Sequence, residues 1–183
     1  MESISPWFKG CSNQRREVQT VMAPNAIILA TRHLQNEEET RDAAIALSRY
    51  LRPGDVIALD GTLGAGKTAF ARALINAMPG EAEDVPSPTF TLVQTYQRGD
   101  AEVWHFDLYR LEDPEDVFEL GIEDAFADAI SLIEWPDKLG SYLPKKHLRI
   151  VLAQDGESDT RTLQIIGDES WQGRLSEVLD ADK

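Results

Sequence analysis

Gly61-Thr62-Leu63-Gly64-Ala65-Gly66-Lys67-Thr68 sets a lysine and a hydroxyl directly behind three glycines that fall within six residues. Glycine admits positive φ and lets consecutive backbone N–H groups approach an anion that a Cβ would hold away. The spacing fits G-x-x-x-x-G-K-[ST], a loop that cradles phosphate groups. In that chemistry the Lys67 ammonium reaches the β and γ phosphates and the Thr68 hydroxyl ligates Mg2+. The candidate nucleotide contacts are Gly61, Leu63, Gly64, Ala65, Gly66, Lys67, Thr68 and Ala69. The plain alternative is a glycine-rich turn without a ligand. The four specified positions, met in the right structural setting, favour the nucleotide.

That setting is strand, loop, helix. Val56-Ile57-Ala58-Leu59 is an apolar run of buried-strand length, and Ala69 to Ile75 is a good helix former. A helix starting near Lys67 turns its positive end toward the loop. Upstream, Ala26–Ala30 reads as a strand and Asn36 as the cap of a helix running to about Tyr50, with Glu39 three residues on. Ala43, Ala44 and Leu47 supply its apolar face, and Arg52-Pro53-Gly54-Asp55 turns the chain into the strand before the loop.

Two further stretches carry chemistry. Pro86-Ser87-Pro88-Thr89-Phe90 is stiffened by its prolines. It would hold Ser87 or Thr89 against a γ-phosphate or its metal, or serve only as a rigid lead into a strand over Thr91–Gln97. After the Arg98-Gly99-Asp100 turn, Val103–Arg110 alternates: Trp104, Phe106 and Leu108 share one face, His105, Asp107 and Tyr109 the other. The second face is either solvated or functional.

Asp113-Pro114 starts a helix that Gly121 separates from another. The acidic run from Glu112 to Asp128 reads as solvated surface or as a docking face for a basic partner. Ala129–Pro136 is a buried strand ending in Glu134, a carboxylate placed to reach a metal or to pair with a basic side chain. Leu148–Leu152 and Arg161–Ile166 form a hairpin, and Trp171–Leu179 a closing helix.

The chain has 183 residues, 42% of them hydrophobic, which suits one domain over residues 26–183 behind a polar leader over 1–25. Met22, just before the first patterned segment, is an alternative translation start. Thirty-two acidic against 18 basic residues leave a formal charge of -14, which argues against direct nonspecific binding of RNA or DNA and against an anionic membrane. Cys11 is the single cysteine, so no intrachain disulfide forms and a reducing cytoplasmic setting is expected. No apolar stretch approaches the ~18 residues a membrane span needs.

The phosphate loop, Ser87-Pro88-Thr89-Phe90, His105-Phe106-Asp107-Leu108-Tyr109-Arg110 and Ile133-Glu134-Trp135-Pro136, in that order, resemble the TsaE (YjeE) family. The last two motifs are the specific ones. The resemblance covers about Ile28 to Ile166. It implies a single α/β, P-loop NTPase-like domain with a mostly parallel central sheet, antiparallel hairpin strands and helices on both faces. It further implies an ATP- and Mg2+-dependent ATPase that acts with TsaB and TsaD in threonylcarbamoyladenosine modification of tRNA, touching the tRNA only indirectly. Under that resemblance Lys67 neutralises phosphate charge and Thr68 with Glu134 holds Mg2+. Asp107 positions or deprotonates the attacking water, a role it could exchange with Glu134. Glu37 and Thr40 fall at the family's adenine pocket, and Trp135 supports Glu134 or meets a partner. Ser87, Thr89, His105, Tyr109 and Arg110 stand as switch or supporting residues. Thr62 departs from the family, many of whose members carry Asp there. A small-molecule kinase and a nucleotide switch with little hydrolysis are the alternatives; for the kinase, Arg72, Arg98 and Arg110 are scattered rather than clustered.

Overall fold

The computed structural model describes residues 25–154 and 159–176. Most of the expected leader, Cys11 and Met22 lie outside these residues, as does the end of the expected closing helix.

Local signals start and stop the helices as their chemistry requires. The Glu39 amide donates to the Asn36 side chain at 2.9 Å, and the Glu39 carboxylate accepts from the Gln35 amide at 2.8 Å. Three glutamates then fill the first turn of α1 (Glu37–Ser48), where they favour the positive end of the helix. Asn36→Ala should lower stability by about 1 kcal/mol, read as a lower urea midpoint at unchanged slope. An unmoved midpoint would show that the cap is dispensable. α2 (Lys67–Ala77) begins directly after Gly66 and ends where Met78 turns extended ahead of Pro79.

Seven strands, β1 (Ile27–Leu34), β2 (Val56–Asp60), β3 (Val93–Arg98), β4 (Ala101–Asp107), β5 (Ile130–Glu134), β6 (Leu148–Gln154) and β7 (Arg161–Gly167), form one sheet. Its order is β1-β7-β6-β2-β5-β4-β3, with β6, β2, β5 and β4 parallel and the flanking pairs antiparallel. β1 runs four residues past its expected end at Ala30, because it pairs with β7 to Leu34 through an irregularity between Ile28 and Ala30. β3 starts two residues later than expected, since Leu92 takes a positive φ of 64°.

Each face of the sheet has its own core. On one side, Ala44 and Leu47 of α1, Phe70 and Leu74 of α2, and Trp171 of α4 (Glu169–Arg174) pack on Ile57, Leu59 and Leu132. On the other, Val117, Ile122, Ala125 and Leu139 pack on Phe106 and Ile133. These come from α3 (Ile122–Asp128) and from 3-10 segments over Pro114–Leu120 and Pro136–Tyr142. The helix expected after Asp113 is therefore a 3-10 segment, divided from α3 by Gly121 at φ 77°. With helices on both faces, the inner strands are buried throughout: every residue of β2 and β5 is buried.

Register decides where the polar groups come together. Leu59 pairs with Glu134, and Glu134 with Asp107, so three parallel strands end in one row. Directly paired residues point to the same face, here the face that α2 covers. This is the carboxyl edge of an open α/β sheet, where ligands bind.

Candidate functional site

The loop between β2 and α2 is shaped by its glycines. Gly61, Gly64 and Gly66 all have positive φ, at 143°, 81° and 102°. A Cβ on Gly61 would collide with the Leu152 carbonyl, so that position admits no other residue without displacing β6. The Lys67 Nζ donates to the Gly61 and Thr62 carbonyls at 2.8 and 2.9 Å and lies 3.9 Å from the centre of the Trp135 ring. Thr62 thus meets Lys67 through its backbone carbonyl. Burial pulls the Lys67 pKa below the usual lysine value, against the opposing influence of Glu134, Asp107 and Asp60.

Glu134 and Asp107 face this loop from the ends of β5 and β4. The Thr68 hydroxyl donates to Glu134 Oε1 at 2.8 Å, and His105 Nε2 lies 3.0 Å from the same oxygen. His105 is fully buried behind Glu134, and Asp107 is buried too, which sets aside a solvated reading for these two, while Tyr109 of the same face is exposed. The cause is the helical cover, which local alternation does not reveal. Asp107 Oδ2 accepts from Ser87 and Thr89 at 2.8 and 2.6 Å, and its Oδ1 accepts from the Tyr109 amide at 3.1 Å. The proline-stiffened loop is thereby tied to the strand end by its two hydroxyls. Trp135 has φ 60°, a conformation that costs a non-glycine residue about 1 kcal/mol or more. It lets the indole pack at a tilt against Tyr109, 4.9 Å between centroids and 47° between planes, while covering the Lys67 ammonium.

Around these groups opens a cleft of about 430 Å³. Leu63, Gly64, Gly66, Lys67, Thr68 and Ala69 line it from the loop side, and Ser87, Thr89, Asp107, Tyr109, Arg110, Glu134 and Trp135 from the other. Gly61 and Ala65 stand under it rather than on its wall. Arg110 stacks on the exposed Phe90 ring at 4.3 Å, at the mouth. Glu37 and Thr40 line a second groove of about 610 Å³ between α1 and α2, and Ala69 belongs to both hollows. The Thr40 hydroxyl is buried and directed to the Asn36 carbonyl at 3.3 Å, so of these two residues Glu37 is the one that offers its polar end, beside Glu38 and Arg41.

One residue at the loop was missed by motif reading. Arg161, at the start of β7, lies so close that a Cβ on Gly66 would stand 2.8 Å from its Nη1. It is buried, its Nε has no partner among the described residues, and its Nη2 donates to the Asp159 carbonyl at 3.3 Å. No ion pair holds it among the described residues, and a buried guanidinium is costly until its donors are satisfied. An arginine opening an otherwise β-patterned strand was the visible signal, but its distance from the loop in sequence hid its closeness to Gly66.

A family model described as threonylcarbamoyl adenosine biosynthesis protein TsaE matches residues 34–163. The chain belongs to the TsaE family. The matched span includes the phosphate loop, Asp107, Glu134 and Arg161. The TsaE protein of Rickettsia conorii, named for tRNA threonylcarbamoyladenosine biosynthesis, is 37% identical over 147 residues, covering 80% of this chain and 83% of that protein. The TsaE of Bacillus subtilis is 36% identical over 125 residues, 68% of this chain and 77% of its own. The TsaE of Rickettsia felis is 47% identical over 104 residues, 57% of this chain, and the match spans 61% of that relative. The crystal structure of Bacillus subtilis YdiB superposes with a TM-score of 0.66 at 29% identity, covering 82% of this chain and 93% of that one. The two chains thus share the mixed α/β sheet described above. No helix among the described residues is long and apolar enough to cross a membrane.

Proposed function

We propose that this TsaE-family chain is a Mg2+-dependent ATPase of tRNA threonylcarbamoyladenosine synthesis, working in the cytoplasm with TsaB and TsaD. The observation that carries the reading is the convergence on one loop of Lys67, the Thr68–Glu134 contact and the Asp107 carboxylate. The net charge of -14 fits a division of labour in which a partner holds the tRNA.

In this reading the β and γ phosphates lie along the loop N–H groups at the start of α2. Lys67 exchanges its contacts with the Gly61 and Thr62 carbonyls for phosphate oxygens. Arg161 completes the charge balance from the β7 side, its Nη1 standing beside Gly66 and turned to the same anion. Glu37 contributes to the adenosine end, in the groove that continues past Ala69. Thr68 and Glu134 offer two oxygen donors 2.8 Å apart, which suits a hard cation that takes few protein ligands and fills its shell with phosphate and water. Bound there, Mg2+ would neutralise charge developing on the β and γ oxygens. His105 holds Glu134 from behind. Asp107 accepts a hydrogen bond from the attacking water, orienting its oxygen toward the γ phosphorus. The new P–O bond forms as the bond to the β–γ bridging oxygen breaks, giving ADP and phosphate, and the water's proton passes to Asp107 or to the departing phosphate. Arg110 and Tyr109 close the mouth.

Titration calorimetry with ATP, with and without Mg2+, tests the site. The wild-type chain should bind, more tightly with the metal, and Arg161→Met should bind about tenfold more weakly, the scale of a charge-assisted contact. Absence of ATP binding by the wild type would overturn the function. Unchanged affinity in the Arg161 variant would remove that residue from the site.

A further inference from the structure

Behind the phosphate loop, on the sheet face away from α2, lies an ion-pair network that no step above uses. The Asp60 Oδ1 accepts from the Gly61 amide at 2.8 Å, fixing the first residue of the loop. Its Oδ2 accepts from Arg149 Nη1 at 2.7 Å. Arg149, on β6 and 4% exposed, also donates to Asp137 Oδ1, from Nη1 at 3.3 Å and from Nη2 at 3.4 Å. Asp137 stands two residues after Trp135, whose ring covers the Lys67 ammonium, and Lys67 in turn binds the Gly61 carbonyl. The contacts therefore close a ring: Asp60, Gly61, Lys67, Trp135, Asp137, Arg149 and back to Asp60.

We propose that Arg149 is a positioning residue that locks the phosphate loop to the Glu134-Trp135 segment, so that the nucleotide meets both in register. The proposal rests on the reading of this loop as a nucleotide site. Arg149 itself lies on the opposite face of the sheet and does not line the cleft. A guanidinium suits the task because its planar fork can serve two carboxylates at once, where an ammonium is a single point charge. A buried arginine held only to fill space would be better replaced by an apolar side chain. Here its two partners belong to the two segments that must act together, and one of them, Asp137, has a side chain 62% exposed and needs no burial partner of its own.

The test is ADP affinity, measured by calorimetry on folded protein well below its melting temperature, for wild type, Arg149→Met, Asp60→Asn, the double variant and Asp137→Asn. Arg149→Met should raise the dissociation constant about tenfold, and the double variant should be no worse than the more affected single one, because both act through one contact. Asp137→Asn, at an exposed carboxylate that the fold can spare, should raise it about threefold and serves if Arg149→Met does not fold. A purely structural role would lower the melting temperature and leave affinity at the lower temperature within twofold, and that result would overturn the proposal. Additive losses in the double variant would overturn it too. Wild-type protein that binds no ADP, a different failure, would remove the nucleotide reading and this inference with it.

Discussion

Lys67→Ala should leave a folded chain that binds ATP about a hundredfold more weakly, roughly 2.7 kcal/mol. In the unliganded chain the ammonium already has the Gly61 and Thr62 carbonyls and the Trp135 face. The nucleotide therefore gains only the difference between those contacts and charge-assisted bonds to phosphate. That difference is still large, because an ammonium against a doubly charged phosphate outweighs two neutral carbonyls. The fold should tolerate the loss. Burial already disfavours the charge, as its lowered pKa shows, so removal of the group relieves desolvation while it breaks two hydrogen bonds. The thermal midpoint should move little while calorimetric affinity collapses. A variant that melted much earlier, with affinity intact, would make Lys67 a structural strut.

Asp107→Asn should do the reverse, sparing binding within about threefold and lowering turnover by about 10² to 10³. The near-isosteric amide retains a carbonyl oxygen for the Tyr109 N–H, but the NH2 that replaces Oδ2 is a donor and can accept neither the Ser87 and Thr89 hydroxyls nor a water. The loss should thus appear in kcat and not in KM. Single-turnover hydrolysis of prebound ATP reads it directly. Parent-rate turnover by the variant would give the water-positioning role to Glu134.

What the sequence disclosed was local. Glycine spacing gave the loop, the cap at Asn36 gave the start of α1, and the apolar run ending in Glu134 gave β5 with its acid. The alternation of Val103–Arg110 correctly separated Phe106 from His105 and Asp107, yet it could not say whether the polar side meets water. That depends on which helices cover the strand. The pairing of Asp107 with Glu134 was likewise hidden, since β4 and β5 are parallel and no hairpin ties their register. Arg161 and Arg149 were missed for the same reason. Each lies in a strand whose neighbours are chosen by the sheet order, and only that order sets them against the phosphate loop.

The most direct measurement is phosphate release from ATP with Mg2+ by this chain alone and with purified TsaB and TsaD, with Lys67→Ala as control. Turnover that rises with the partners and disappears in the control is the predicted result. Partner-independent rates, or hydrolysis that survives in the Lys67 variant, would contradict the assignment of a partner-supported ATPase to this loop.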